Sequence, residues 1–216
     1  MARIIYLHGF GSGPGSRKAA FFREQLRQVG LRLEAPDLNA GKFRELTISG
    51  QLRTIGGAIA GDATVLIGSS LGGYLAALYA SRHPEIRAVV LLAPAFNFYN
   101  RWTESLGPEN LLKWKISGEI EVYHHAENRA DPLGYQFLED AAQYEAFPDF
   151  GQPCLDFHGT NDPVVPIQYS EGFAAKHPNV GLVRLQSGHE LTDVLEIMWD
   201  QSKQFLLRAA GASMLD

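Results

Sequence analysis

The sequence predicts a single α/β domain, residues 1–216, built on a mostly parallel sheet flanked by helices on both faces. Three observations carry this. Short apolar runs alternate with amphipathic stretches along the whole chain, the order expected when helices connect parallel strands. The runs themselves, such as IRAVVLL from Ile86 to Leu92, are continuously apolar, as strands covered on both faces must be. The length, 216 residues, supplies one sizeable core and falls short of two full domains.

Taken in order, Arg3 to His8 reads as a buried strand, because it is brief, β-branched and closed by glycine. HGFGSGPGS, from His8 to Ser16, holds four glycines and a proline in nine residues and forms no regular element. Ser16 caps a helix over residues 17–29, with Ala19, Phe22, Leu26 and Val29 on one face, and Gly30 ends it. Leu31 to Ala35 is a second short strand, and residues 38–49 carry no clear period. A helix over 51–60 is weakened by Gly56 and Gly57. Residues 63–68 form a strand, Leu71 to Arg82 a helix with small Ala76, Ala77 and Ala80 on one side, and Ile86 to Leu92 another strand. Between 96 and 150 the alternation breaks. This aromatic-rich segment holds two expected helices, around 109–115 and 132–144, and reads as a cap inserted over the main domain. Strands at 153–158 and 180–185 and helices at 167–176 and 191–208 complete the pattern, with a loose tail expected after Ala209.

Composition narrows the function classes. Hydrophobic residues make up 45% and charged residues 20%, as in an ordinary globular protein. A net charge of −5 argues against a nucleic-acid or anionic-membrane surface. The lone Cys154 permits neither an intramolecular disulfide nor a cysteine metal site, and its apolar neighbours mark a buried, inert thiol. The apolar run in MARIIYLHG is too short for a signal peptide, and no stretch approaches membrane-spanning length, so the expected location is the cytoplasm.

The chemistry gathers around VLIGSSLGGY, Val65 to Tyr74. Read as G-x-S-x-G, it centres on Ser70 in a strand–turn–helix context, which is a nucleophile elbow. Ser69 is the rival, but Ile67 stands where the first glycine should be. In a parallel sheet the functional groups collect in loops at the carboxyl ends of strands. A serine nucleophile needs a base, and the base needs an orienting acid. The loop HGTNDPVVP offers Asp162 and the loop SGHEL offers His189, giving the order Ser, Asp, His. Asp156 lies inside its strand and Asp193 inside the last expected helix, and Asp149 is a weaker competitor. Of seven histidines, His8 is expected to shape the glycine loop and His158 to make a structural hydrogen bond. His83 and His177 precede prolines or follow helices near the surface, and His124 and His125 fall in the cap within reach of substrate. The oxyanion donors are expected to be the backbone N–H groups of Leu71 and of Phe10 in HGFG. A phosphate loop is the competing reading of these glycines, but neither G-K-[ST] nor G-x-G-x-x-G spacing follows. Phe96, Phe98, Tyr99 and Trp102, together with Phe10, are candidates for an acyl pocket, with core packing as the competing role.

The ordered set HGFGSGPGS, GSSLGGY, HGTNDPVVP and SGH resembles the α/β-hydrolase superfamily over almost the whole chain. Within it, YLHGF, the short glycine-rich loop and GSSLGGY are similar to the small YqiA-type esterases. The resemblance implies an α/β-hydrolase fold with an eight-strand-type sheet, open to trimming at its first strands. It implies carboxylesterase or thioesterase chemistry on a small-molecule acyl substrate, through an acyl-enzyme, with no metal and no cofactor. A non-catalytic binding module on the same fold is the alternative from another class.

Overall fold

The computed structural model describes residues 2–39 and 41–211. The chain runs β1 (Arg3–Leu7), α1 (Arg17–Gln28), β2 (Leu33–Glu34), α2 (Ile48–Ile59), β3 (Thr64–Ser69), α3 (Leu71–Arg82), β4 (Ile86–Leu92), α4 (Phe98–Ser117), β5 (Glu119–His124), β6 (Arg129–Gly134), α5 (Gln136–Ala141), β7 (Cys154–Gly159), α6 (Gln168–Lys176), β8 (Val180–Leu185) and α7 (Leu195–Ala210). A 3₁₀ turn at Phe43–Glu45 precedes α2. Among the described residues, six strands form one sheet in the order β2-β1-β3-β4-β7-β8, and every pairing in it is parallel.

The continuous apolar runs make sense in this sheet, because each strand feeds two cores. Ile5, Leu7, Leu66, Val89 and Leu91 face α2, α3 and α6. Ile4, Tyr6, Val65, Ile67, Val90 and Leu92 face α1 and α7. The two-residue period of a strand sends neighbours to opposite faces, so Val65–Ile67 of β3 and Ala88–Leu92 of β4 are apolar without a break, and polar residues fall only towards the strand ends, at Thr64, Ser69 and Arg87. Each fully buried Leu, Ile or Phe side chain contributes about 1.5–3 kcal/mol. Helix α1 starts where Ser16 accepts the Ala19 N–H, and α2 starts where Thr47 accepts the Gly50 N–H at 2.9 Å.

The segment after β4 departs from the expected helices. The helix expected over 132–144 is split: its first residues form β6, which pairs antiparallel with β5 in a separate hairpin, and only Gln136–Ala141 is helical. The alternation of Ile120 and Val122 with charged residues is the strand signal, and Asn128, at φ 52°, lies in the turn. Pro132 is tolerated because this two-stranded ribbon leaves outward-facing ladder positions unpaired. The helix expected at 109–115 is the second half of α4, which continues after a kink where Gly107 adopts φ 70° and Pro108 opens the next turn. The last helix begins at Leu195 rather than Leu191, because Leu191 sits at φ 53° in a turn, which leaves Asp193 ahead of the helix. Helix α7 runs on to Ala210, past the start of the expected loose tail; residues 212–216 of that tail lie outside the described residues. Trp114 of α4 is buried and donates its indole N–H to Leu133 O at 3.1 Å, tying α4 to the hairpin. Among the described residues, no helix is long and apolar enough to cross a membrane.

Helix α3 packs directly on the end of β1. A Cβ on Gly72 would overlap the carbonyls of Leu7 and His8, whereas one on Gly57, exposed in α2, would meet nothing. Gly72→Ala is therefore expected to cost several kcal/mol, on the order of 3 or more, in urea unfolding. Gly57→Ala should be neutral or stabilise by up to about 1 kcal/mol. A tolerated Gly72→Ala would contradict the packing described.

Candidate active site

Ser70 stands between β3 and α3 at φ 52°, ψ −117°, a conformation disfavoured for any residue with a side chain. Its backbone is over-determined. The Ser70 N–H donates to Leu92 O at 2.9 Å, and its carbonyl accepts the N–H groups of Gly73, Tyr74 and Ala95. The side chain is thereby turned out of the sheet edge, and its Oγ lies 3.0 Å from His189 Nε2. His189 Nδ1 lies 2.7 Å from Asp162 Oδ2. A carboxylate only accepts, so Nδ1 bears the proton and Nε2 is free to receive the one on Ser70.

Asp162 is held from several sides. Its Oδ1 accepts the N–H groups of Val164 and Val165, each at 2.8 Å. Its Oδ2 meets His189 and, at 3.2 Å, the Nε2 edge of His158. The side chain is fully buried. Burial alone pushes its carboxyl up, but the imidazole edges of His158 and His189 and the Val165 N–H outweigh this and hold it well below the usual carboxylate range. Asp162 reaches His189 because the loops after β7 and β8 touch. A Cβ on Gly159 would collide with the carbonyls of Ser187 and Gly188. Ser187 also donates its hydroxyl to Asp193, so the aspartate expected in the helix instead braces the loop that carries His189.

The glycine loop lies across from Ser70. The N–H groups of Phe10 and Leu71 have no protein acceptor among the described residues. The Leu71 group opens α3, where the first amides are free by geometry and favour negative charge. The Phe10 ring packs against Phe43, Trp102 and Phe137 at centroid distances of 5.4–5.7 Å, which anchors the loop. His8 is buried and shapes the loop from below: its Nε2 accepts the Leu38 N–H at 3.0 Å. Burial lowers its basicity, and Gly9 O and Asp37 only partly offset this. The β5–β6 hairpin closes the outer side, since Ala126 N–H donates to Gly11 O at 2.9 Å.

A cavity of about 990 Å³ opens onto Ser70 and His189, lined by Gly9, Phe10, Ser12, Lys18, His125 and Val164 among others. Phe96, Phe98, Tyr99 and Trp102, named from the sequence as pocket candidates, do not line it. Phe96 is wholly buried against Phe147 and Phe173. Phe98 and Trp102 pack on Phe137 and on each other, and Tyr99 joins the same core. Core packing wins for these rings because burying their apolar area outweighs leaving them in an open cavity. The wall instead mixes apolar residues such as Phe10, Pro14 and Val164 with polar ones and carries cations. Arg17 is exposed at the mouth. Lys18 is buried, donates to Glu190 O at 2.6 Å and so fixes the residue after His189. Burial pulls the Lys18 ammonium down, against the pull of Glu190 and Asp162. Lys18 carried no sequence signal beyond its place after the glycine loop. Of the two hairpin histidines, His125 reaches the cavity, while His124 is buried against Asp131 and stacked on Phe43.

A family model described as an uncharacterised protein family, UPF0227, matches residues 3–206. No curated protein matches the chain. The fold is similar to that of Est1E from Butyrivibrio proteoclasticus, solved with ferulic acid bound, at TM-score 0.82 and 23% identity, covering 97% of this chain and 89% of that one. Mouse alpha/beta hydrolase domain-containing protein 10 superposes with TM-score 0.79 and 21% identity, over 95% of this chain and 89% of that one. The monoacylglycerol lipase of Paleococcus ferrophilus gives 0.74 and 20% identity, over 95% and 94%. The six-stranded sheet with its helices is thus an α/β-hydrolase fold, shorter than the eight-strand-type sheet the resemblance implies.

Asp156, inside β7, is wholly buried, and neither of its oxygens has a partner among the described residues. Burial pushes its carboxyl up to about 6; Ser170 approaches without reaching hydrogen-bonding geometry, and His158 offsets only part. The unfolded chain ionises this group near pH 4, the folded chain only near 6. Stability is therefore lost as pH rises through that window and stays lower above it. Asp156→Asn should stabilise by on the order of 2–3 kcal/mol above pH 7, with the gain fading towards pH 4. Urea unfolding at both pH values checks this, and a gain independent of pH would contradict it.

Proposed function

The chain belongs to the UPF0227 family, and from its fold and the geometry at Ser70 we propose that it is a serine hydrolase cleaving small to medium acyl esters through an acyl-enzyme. The observation that carries this is the unbroken line from Ser70 Oγ through His189 to Asp162, at 3.0 Å and 2.7 Å. Ser70 Oγ attacks the acyl carbonyl carbon while its proton passes to His189 Nε2. The N–H groups of Phe10 and Leu71 donate to the oxygen that becomes negative. As the intermediate collapses, the bond to the leaving oxygen breaks and His189 returns the proton to it. Water then adds to the acyl-enzyme by the same route in reverse, with His189 as base, releasing the carboxylic acid and restoring Ser70. Asp162 stays ionised throughout and steadies the imidazolium. These side chains and amides supply nucleophile, base and oxyanion donors, so the reading calls for no cofactor.

A thioester substrate of acyl-CoA type is the second reading. The exposed cation at the cavity favours it, because Arg17 would meet the phosphates of such a substrate and has no part in the handling of a neutral ester.

Ser70→Ala should lower p-nitrophenyl acetate turnover by at least about 1000-fold with the melting temperature unchanged. In the wild type, kcat/KM should rise between about pH 5 and about pH 8 as a histidine loses its proton. Retained turnover in the variant, or a flat profile, would contradict the reading. For the thioester reading, Arg17→Glu should raise KM for an acyl-CoA roughly tenfold and leave KM for the neutral aryl ester in place. Equal effects on both substrates would remove it.

A further inference from the structure

Behind Asp162 lies a second imidazole that the proposed reaction does not use. His158, the penultimate residue of β7, is wholly buried. Its Nε2 is 2.9 Å from Val165 O and 3.2 Å from Asp162 Oδ2. Two oxygens facing one ring nitrogen leave that nitrogen no role but donor, so Nε2 bears a proton. Its Nδ1 lies 2.8 Å from Ser170 Oγ on α6, which fixes the ring's orientation. The contacts close a loop around the acid. His158 holds the Val165 carbonyl, and the Val165 N–H holds Asp162 Oδ1 at 2.8 Å. The proton on Nε2 also approaches the oxygen that receives His189 Nδ1.

We propose that His158 is a positioning residue for the reaction, holding the Asp162 carboxylate from behind and limiting how strongly that carboxylate supports a proton on His189. The proposal rests on the serine-hydrolase reading. A carboxylate oxygen shared between two imidazoles gives each a smaller share of its charge. If His158 is removed, Oδ2 belongs to His189 alone, the imidazolium becomes easier to form, and the base is lost to protonation at a higher pH. The charged and titratable neighbours on every side are few. Asp156 on the same strand and Asp162 on the following loop are the anions beside His158. Lys18 of α1 and Arg101 of α4 feel Asp162 from further away, and Cys154 feels Asp156. Burial works against charge on His158, but the contacts to Asp162 and Val165 and the charge of Asp156 outweigh it, and its basicity is raised.

The test compares His158→Leu, which removes the donor, with His158→Gln, whose amide nitrogen stands where Nε2 stood. For His158→Leu, kcat should fall roughly tenfold or more with KM within about twofold, and the acidic limb of kcat/KM should move up by about half to one pH unit. His158→Gln should restore the limb to within about 0.2 units of the wild type. An unmoved limb in His158→Leu overturns the proposal, as does a limb moved equally in both variants. If His158→Leu fails to fold, imidazole N–H resonances decide: Asp162→Asn should shift the His158 signal together with that of His189, and a His158 signal unaffected by it overturns the proposal. If the wild type turns over no ester, the hydrolase reading fails, and the resonance experiment still decides the His158 contact.

Discussion

A serine forced into positive φ at the junction of a strand and a helix is the constraint on which the rest of the molecule depends. That conformation is unfavourable by about 1–3 kcal/mol and persists only where the surroundings leave no alternative. Here the surroundings are four backbone hydrogen bonds at Ser70, the close seat of α3 on the end of β1, and a strand whose every side chain is buried. Sheet, crossover helices and paired cores act together as the clamp that holds one hydroxyl clear of its own backbone. The all-parallel order matters for the same reason. It puts the carboxyl ends of β1, β3, β7 and β8 along one rim, so loops distant in sequence meet there.

At that rim the electrostatics are graded rather than uniform. Asp162 has a buried side chain surrounded by donors, so its charge is stable; Asp156, six residues earlier and more deeply buried, has none and is pushed up to about 6. Burial raises both groups, more so Asp156, and only Asp162 has the donors that reverse it. Lys18 adds a buried cation whose hydrogen bond fixes the residue after His189. The segment between β4 and β7 contributes rigidity. Its aromatic cluster, with Trp102 and Phe137 at its centre, grips the Phe10 ring and so anchors the glycine loop beside Ser70.

Most of the sheet and the placement of Ser70, Asp162 and His189 were legible in the sequence, because buried parallel strands are continuous apolar runs and their carboxyl ends locate the loops. What failed did so for local reasons. The β5–β6 hairpin was hidden because residues 132–144 read as one helix, although Ile120 and Val122 alternate as a strand should. Aromatic residues near the site, Phe96 to Trp102, suggested a pocket, but composition does not tell which side of a helix faces a cavity and which faces the core. Lys18 and the shared position of His158 were illegible, because each depends on a contact between segments with nothing in the local pattern to mark it. Residues whose function follows from their own loop can be read in sequence, whereas residues that act by supporting a distant one need the fold.

The central claim is that Ser70 is a nucleophile activated by its neighbours, and covalent trapping tests it most directly. The protein is treated with a fluorophosphonate probe, digested, and mapped by mass spectrometry. The account predicts one adduct per chain, on Ser70, formed rapidly in the wild type and lost when His189 is replaced by alanine. Labelling at Ser69, labelling spread over several surface residues, or no labelling of folded protein would contradict it.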